Sequence, residues 1–162
     1  MGALESAAAI AGRQVDLSEQ QGLCCSGAGT CNGGWWLFDW AVKQGVGLDK
    51  DLPYTARYGR CPTIPTALKA LTWGYVAGSA KVPTNEQLRK FLCDKGPLAV
   101  CLRADGRLSN YVAGTVWQGP AGSINHAVLL IGWKKLADGT TVWIIKNSWG
   151  SNWGDKAYRN RR

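Results

Sequence analysis

The sequence predicts an α+β fold, with helices gathered towards the front of the chain and antiparallel strands towards the back. Helix-forming stretches fall at residues 3–11, 18–21, 35–42 and 85–92. Stretches rich in Val, Ile and aromatic residues fall mainly later, at 98–102, 111–117, 127–133 and 141–146. Runs of helices followed by runs of strands are the pattern of segregated α+β architectures. With 162 residues the chain is long enough to bury a sizeable core, as one domain or as two small lobes.

Each element has a local reason. Residues 3–11 are rich in Ala, with Glu5 near the start, and Gly12 stands where a helix would stop. Ser18 followed by Gln21 is a capping-box pattern opening a short helix. Gly27-Ala28-Gly29 forces a loop, and Gly33-Gly34 leads into bulky residues at 35–42 that recur around a helix, ended by Gly45 and Gly47. Residues 55–82 are richer in Gly, Pro and Thr and read as loops with a strand at 72–76, the natural crossing between lobes. Thr84 or Asn85 caps a helix that Gly96-Pro97 stops. Residues 98–102, 111–117, 127–133 and 141–146 then read as strands, and Asp138-Gly139 closes a hairpin between the last two.

Composition narrows the function classes. Apolar residues make up 46% and charged residues 19%, with nine Trp, which is a packed globular protein and not a disordered one. The net charge of +8, from 19 Lys and Arg against 11 Asp and Glu, favours acidic partners without choosing among them. Nucleic-acid binding is disfavoured, because the basic residues are dispersed and the Trp residues sit among apolar neighbours. No apolar stretch approaches the roughly 20 residues that a membrane span needs, and no signal peptide is visible in the chain. Six cysteines leave disulfides, free thiols and metal ligands open, although the adjacent Cys24-Cys25 and the isolated Cys31 argue against zinc. No cofactor or metal is expected.

The hairpin makes a geometric point. If 127–133 and 141–146 run antiparallel around Asp138-Gly139, the start of the first strand and the end of the second lie side by side. His126, the single histidine, and Asn147 become neighbours. An Asn carbonyl accepting from one imidazole nitrogen fixes the tautomer and leaves the other nitrogen open to exchange a proton.

Four blocks in this order resemble the papain-like cysteine peptidases. They are Leu17-Ser18-Glu19-Gln20-Gln21 running into Cys24-Cys25, Cys31-Asn32-Gly33-Gly34, Asn125-His126-Ala127, and Asn147-Ser148-Trp149-Gly150 with Trp153-Gly154. The resemblance implies a papain-like two-lobe fold, an α-rich lobe at 1–66 and an antiparallel β-barrel-like lobe at 67–162. It makes His126 and Asn147 the catalytic base and its orienter, with Trp149 covering their hydrogen bond. Gly33 and Gly34 would offer backbone to an extended peptide or protein substrate. Trp35, Trp36, Cys101 and Ile124 would shape the pocket for one substrate side chain. Cys25 and Cys61 match a family disulfide, and Cys31 matches a residue whose partner lies upstream. Cys24, Cys93 and Cys101 have no counterpart.

The resemblance also marks two departures. In the family the catalytic cysteine opens a helix in a Cys-x-x-Cys-Trp setting behind a glutamine that helps bind the oxyanion, and residues 3–6 resemble only the second half of that helix. After Trp153-Gly154 the family continues into further strands, whereas here Asp155-Lys156-Ala157-Tyr158 gives way to Arg159-Asn160-Arg161-Arg162. Both lobes are therefore expected to be incomplete and covered by a missing segment or a protein partner. The chain is expected to be inactive alone, being either part of a peptidase or a noncatalytic structural or peptide-binding subunit. The family implies a secretory, lysosomal or vacuolar setting.

Overall fold

The computed structural model describes residues 1–79 and 81–155, and the tail from Lys156 to Arg162 lies outside them. The chain divides into two compact units, Met1–Leu88 and Arg89–Arg162.

The first unit holds α1 (Gly2–Ile10), α2 (Glu19–Cys25) and α3 (Phe38–Lys43), with a short hairpin of β1 (Gly29–Thr30) and β2 (Gly33–Gly34) before α3. Its core is Leu4, Leu17, Ala41 and Val46, with Leu37, Phe38, Trp40, Leu68 and Ala70 packed against it. α1 ends as the sequence predicts, with Gly12 at φ 78°, a left-handed turn that glycine adopts without a Cβ clash. Ser18 caps α2 by accepting from the Gln21 backbone N–H at 2.9 Å. The capping box stays half-closed, because the Gln21 side chain accepts from Gly47 N–H at 2.7 Å instead of reaching back to Ser18. The Ser18 N–H is used by Gly47 C=O at 3.0 Å, so α2 is stitched to the segment after α3. The disulfide joins Cys25 and Cys61, as the resemblance implied.

Two expectations for this unit are corrected. The helix expected from residue 35 begins only at Phe38, because Trp35 N–H is spent on Ala28 C=O at 2.8 Å, holding the β1–β2 hairpin. Residues 72–76 form no strand. Trp73 instead donates its indole N–H to Asp39 at 2.7 Å and packs its ring on Phe38 and Tyr75.

The helix α4 (Asn85–Lys95) opens on a complete capping box. Thr84 Oγ1 accepts from Gln87 N–H at 3.2 Å and Gln87 Oε1 from Thr84 N–H at 2.9 Å. The second unit is built on an antiparallel sheet in the order β3 (Leu98–Leu102), β4 (His126–Lys135), β5 (Thr141–Lys146). The Asp-Gly turn closes β4 onto β5, with Asp138 accepting from Thr140 N–H at 2.8 Å. Between β3 and β4 a short helix α5 (Gly106–Ser109), capped by Asp105, stands near the expected strand at 111–117, which is absent. That segment turns on itself. Tyr111 OH donates to Thr115 C=O at 2.9 Å, Thr115 Oγ1 donates to Val112 C=O at 2.7 Å, and Gly114 takes φ 82°. Among the described residues no helix is long and apolar enough to cross a membrane.

Candidate active site

His126 is the first residue of β4 and pairs with Leu102 of β3. The ladder does not fray there, because Asn125 extends it by one step. Its N–H donates to Leu102 C=O at 3.1 Å, its Oδ1 accepts from Ala104 N–H at 2.7 Å, and its Nδ2 donates to Ala104 C=O at 3.1 Å. A side-chain amide thus does the work of a backbone pair and fixes the backbone that presents the imidazole.

On the other side β5 delivers Asn147 one residue past its end. Leu129 pairs with Lys146, and that register carried onward sets His126 opposite Trp149. His126 Nε2 lies 2.9 Å from Asn147 Oδ1, and the indole of Trp149 stacks on the imidazole with ring centroids 4.8 Å apart and 27° between planes. The same Oδ1 accepts from Ser148 N–H at 2.8 Å. An atom that accepts from a backbone N–H is the amide oxygen and not the nitrogen, so the orientation of Asn147 is settled by its neighbour. Nε2 of neutral His126 therefore carries the proton, and Nδ1 holds the free lone pair. Asn147 Nδ2 is buried with no partner among the described residues.

The support behind Trp149 came from residues to which sequence reasoning gave no role. Trp153 packs edge-on against Trp149 at 5.3 Å and donates its indole N–H to Leu108 C=O of α5 at 2.9 Å. Asp105 secures α5 by accepting from Leu108 N–H at 3.0 Å, from Arg107 at 2.7 Å and from the Trp117 indole at 3.0 Å. The signals were present: a second Trp-Gly four residues after the first, and an Asp followed by Leu three residues on, the N-cap spacing. The Arg107 hydrogen bond, helped by Trp117 and the Leu108 N–H, lowers the Asp105 carboxyl to about 2. A carboxylate depressed in the folded state stabilises fully above its unfolded value near 3.9, and that contribution is lost as pH falls through about 2. The difference in urea midpoint between wild type and Asp105→Asn is accordingly expected to be present at about pH 5 and to close by about pH 2.

The remaining expected site residues divide between the units. Cys101 pairs with Ala127, one position along from the Leu102–His126 pair. Directly opposed residues share a sheet face and successive residues alternate, so Cys101 points to the face opposite His126. Burial also pushes its thiol up, away from thiolate. Ile124 is 50% exposed just before β4. In the first unit Gly33 and Gly34 are exposed, pairing with Thr30 and Gly29. A Cβ on Gly34 would stand 2.6 Å from Ala28 C=O, so only glycine permits that approach. Trp35 is 59% exposed and 5.5 Å from the Trp36 ring. A cavity of about 710 Å³ in the second unit, lined by Arg107, Tyr111, Val116 and Trp117 among others, contains none of the expected site residues. No group of three His, Cys, Asp or Glu suited to a metal ion occurs among the described residues.

Comparison with known proteins identifies the family and the fold. A family model described as papain family cysteine protease matches residues 1–161. Ananain from Ananas comosus is 34% identical over 153 residues, covering 91% of this chain and 43% of that protein. The P34 probable thiol protease from Glycine max is 36% identical over 169 residues, covering 97% of this chain and 44% of that one. The chain thus spans less than half the length of these relatives. Among solved structures, bromelain protease from Ananas comosus in complex with the E64 inhibitor superposes with a TM-score of 0.80 at 33% identity, covering 94% of this chain and 71% of that one. The proform of the ragweed pollen allergen Amb a 11 gives 0.83 at 30% identity, covering 95% and 43%. The fold is papain-like, and the chain belongs to the papain family of cysteine proteases.

Proposed function

We propose that these residues supply the general base of a cysteine peptidase, His126, together with its orienter Asn147 and part of the substrate-binding surface, while the nucleophilic thiol comes from elsewhere. The observation that carries this reading is the 2.9 Å hydrogen bond from His126 Nε2 to Asn147 Oδ1 beneath the Trp149 ring. It leaves Nδ1 as the open base. In peptide-bond hydrolysis His126 Nδ1 takes the proton of the attacking thiol, the thiolate adds to the scissile carbonyl, and the imidazolium returns the proton to the leaving amine. The acyl-thioester is then cleared by water that the same nitrogen deprotonates. Gly33, Gly34 and Trp35 from the first unit, with Cys101 and Ile124 from the second, are the proposed contacts of an extended peptide. In this reading the lobes are residues 1–66, α-rich, and 67–162, β-rich.

None of the six cysteines fits the nucleophile's role. Cys25 and Cys61 are bonded to each other, Cys101 faces away from His126, and Cys24 and Cys31 sit against carbonyls of the first unit. Cys93 is exposed on α4. The alternative of a noncatalytic structural or peptide-binding subunit draws on the same facts, and on Leu71 and Val82, exposed at 94% and 93% as a covering partner would explain.

A fluorogenic-peptide assay separates the two. The 162-residue chain alone is expected to give no turnover above buffer. The same chain carrying a family-type cysteine helix ahead of Met1 is expected to hydrolyse the peptide, and His126→Ala to lower that kcat by about 10²–10⁴-fold. Folded chimera without any turnover overturns the peptidase reading, and turnover by the chain alone overturns the assignment of the thiol to another segment.

A further inference from the structure

Trp149 lies over the imidazole of His126, yet among the described residues no strand pairing reaches it. β5 ends at Lys146, and residues 147–155 follow as irregular turns with Gly150 at φ 86° and Gly154 at φ 81°. Within that stretch the backbone makes one long hydrogen bond, Trp153 N–H to Gly150 C=O at 3.4 Å. So little backbone bonding would by itself leave a large ring free to swing. Two side-chain bonds to a distant segment stand in for the missing pairing. Trp153 donates its indole N–H to Leu108 C=O at 2.9 Å, and Asp155 Oδ1 accepts from Gly114 N–H at 2.7 Å. The Trp153 ring then meets Trp149 edge-on at 5.3 Å, with Tyr111 behind it at 5.7 Å. Residues 105–117 therefore set where the Trp149 ring sits.

That segment has little regular structure of its own. α5 is four residues long, too short to persist unaided. A single carboxylate fixes it. Asp105 Oδ1 accepts from Leu108 N–H at 3.0 Å and from the Trp117 indole N–H at 3.0 Å, while Oδ2 accepts from Arg107 Nε at 2.7 Å. These donors come from α5 and from the far end of the loop, so the carboxylate closes the segment on itself. Leu108, whose N–H it holds, is also the residue whose carbonyl holds Trp153, and its side chain is buried. With His126 read as the general base, we propose that Asp105 is a positioning residue for it, acting through Leu108, Trp153 and Trp149. Loss of the carboxylate frees the Leu108 carbonyl, lets Trp153 and Trp149 shift, and admits water to compete for the Asn147 oxygen. The Nε2 proton is then held less firmly, and the other tautomer gains.

The test reads the single histidine of the chain itself by nitrogen NMR, at a pH where the imidazole is neutral, with the β4–β5 amide signals reporting that the sheet stays folded. Asp105→Ala is expected to lower the ratio of the Nε2–H to the Nδ1–H tautomer about fivefold, the scale of a lost helix cap. Asp105→Asn keeps Oδ1 for Leu108 and Trp117 and loses only the Arg107 bond, so it is expected to retain most of the wild-type ratio. Trp153→Phe keeps a ring against Trp149 and removes the N–H. It is expected to lower the ratio as far as Asp105→Ala does, and the double variant no further, because both changes break the same chain of contacts. An unchanged ratio in folded Asp105→Ala, or additive effects in the double variant, overturns the proposal. Where Asp105→Ala does not fold, an unchanged ratio in Trp153→Phe overturns it equally. Mixed tautomers already present in the wild type overturn the reading of His126 as the base, and this proposal with it.

Discussion

Asn147→Ala, introduced into the chain completed with a thiol helix, is expected to lower kcat by about 10²-fold or more while leaving KM close to its original value. The side chain bonds to the imidazole, and none of the proposed substrate contacts is Asn147, so its removal should spare substrate binding. What it removes is the acceptor that keeps the His126 Nε2 proton in place. Without it the ring is free to turn beneath Trp149 and to place its proton on Nδ1, the nitrogen that accepts one in the proposed mechanism. Stability should change by only about 1 kcal/mol, the usual net worth of a hydrogen bond, because Ser148 N–H, the other donor to this oxygen, is exposed. Asn147→Asp, which keeps an accepting oxygen, is expected to retain the tautomer. Steady-state kinetics with urea unfolding checks all three statements, and a rise in KM with unchanged kcat would contradict them.

Leu17→Ala is expected to destabilise the first unit by about 2–5 kcal/mol, the range for emptying a buried leucine site. Leu17 is 0% exposed at the centre of a small core that it shares with Leu4, Ala41 and Val46. Its backbone is held independently, since its N–H donates to Glu5 Oε1 at 3.0 Å and it bridges to Leu48. The substitution thus leaves the local chain path anchored and reports on packing. Against a total stability of about 5–15 kcal/mol for an ordinary domain, such a loss leaves the unit close to unfolding. Urea unfolding followed by Trp fluorescence reads it, with Trp40 beside the cavity. A cost below about 1 kcal/mol would mean that the core is looser than its burial indicates.

The parts of the fold that were legible in the sequence are those fixed by short-range chemistry. Ser18 and Thr84 cap helices through residues three positions on, Gly96 ends α4 at φ 87°, and Asp138-Gly139 sets the β4–β5 hairpin that brings His126 to Asn147. The parts that were not legible depend on long-range partners. Residues 72–76 and 111–117 have strand composition, but strand propensity is realised only beside another strand. Here the first stretch packs Trp73 on Phe38, and the second anchors Trp117 to Asp105. Gln21 satisfied the capping-box pattern and still turned to Gly47, because a distant backbone N–H needed an acceptor in the buried interior. In the site, the His–Asn pair followed from hairpin geometry, whereas the Trp153–α5 support required knowing that residues 45 apart in sequence meet.

His126 is pinned through Nε2 with Nδ1 open, and the chain offers a clean probe because it has a single histidine. Nitrogen NMR of the labelled protein, taken at a pH where the imidazole is neutral, distinguishes the protonated from the unprotonated ring nitrogen. The proton is expected on Nε2, with that preference lost in Asn147→Ala; a proton on Nδ1, or an even mixture of tautomers in the wild type, would show that Asn147 does not hold the ring.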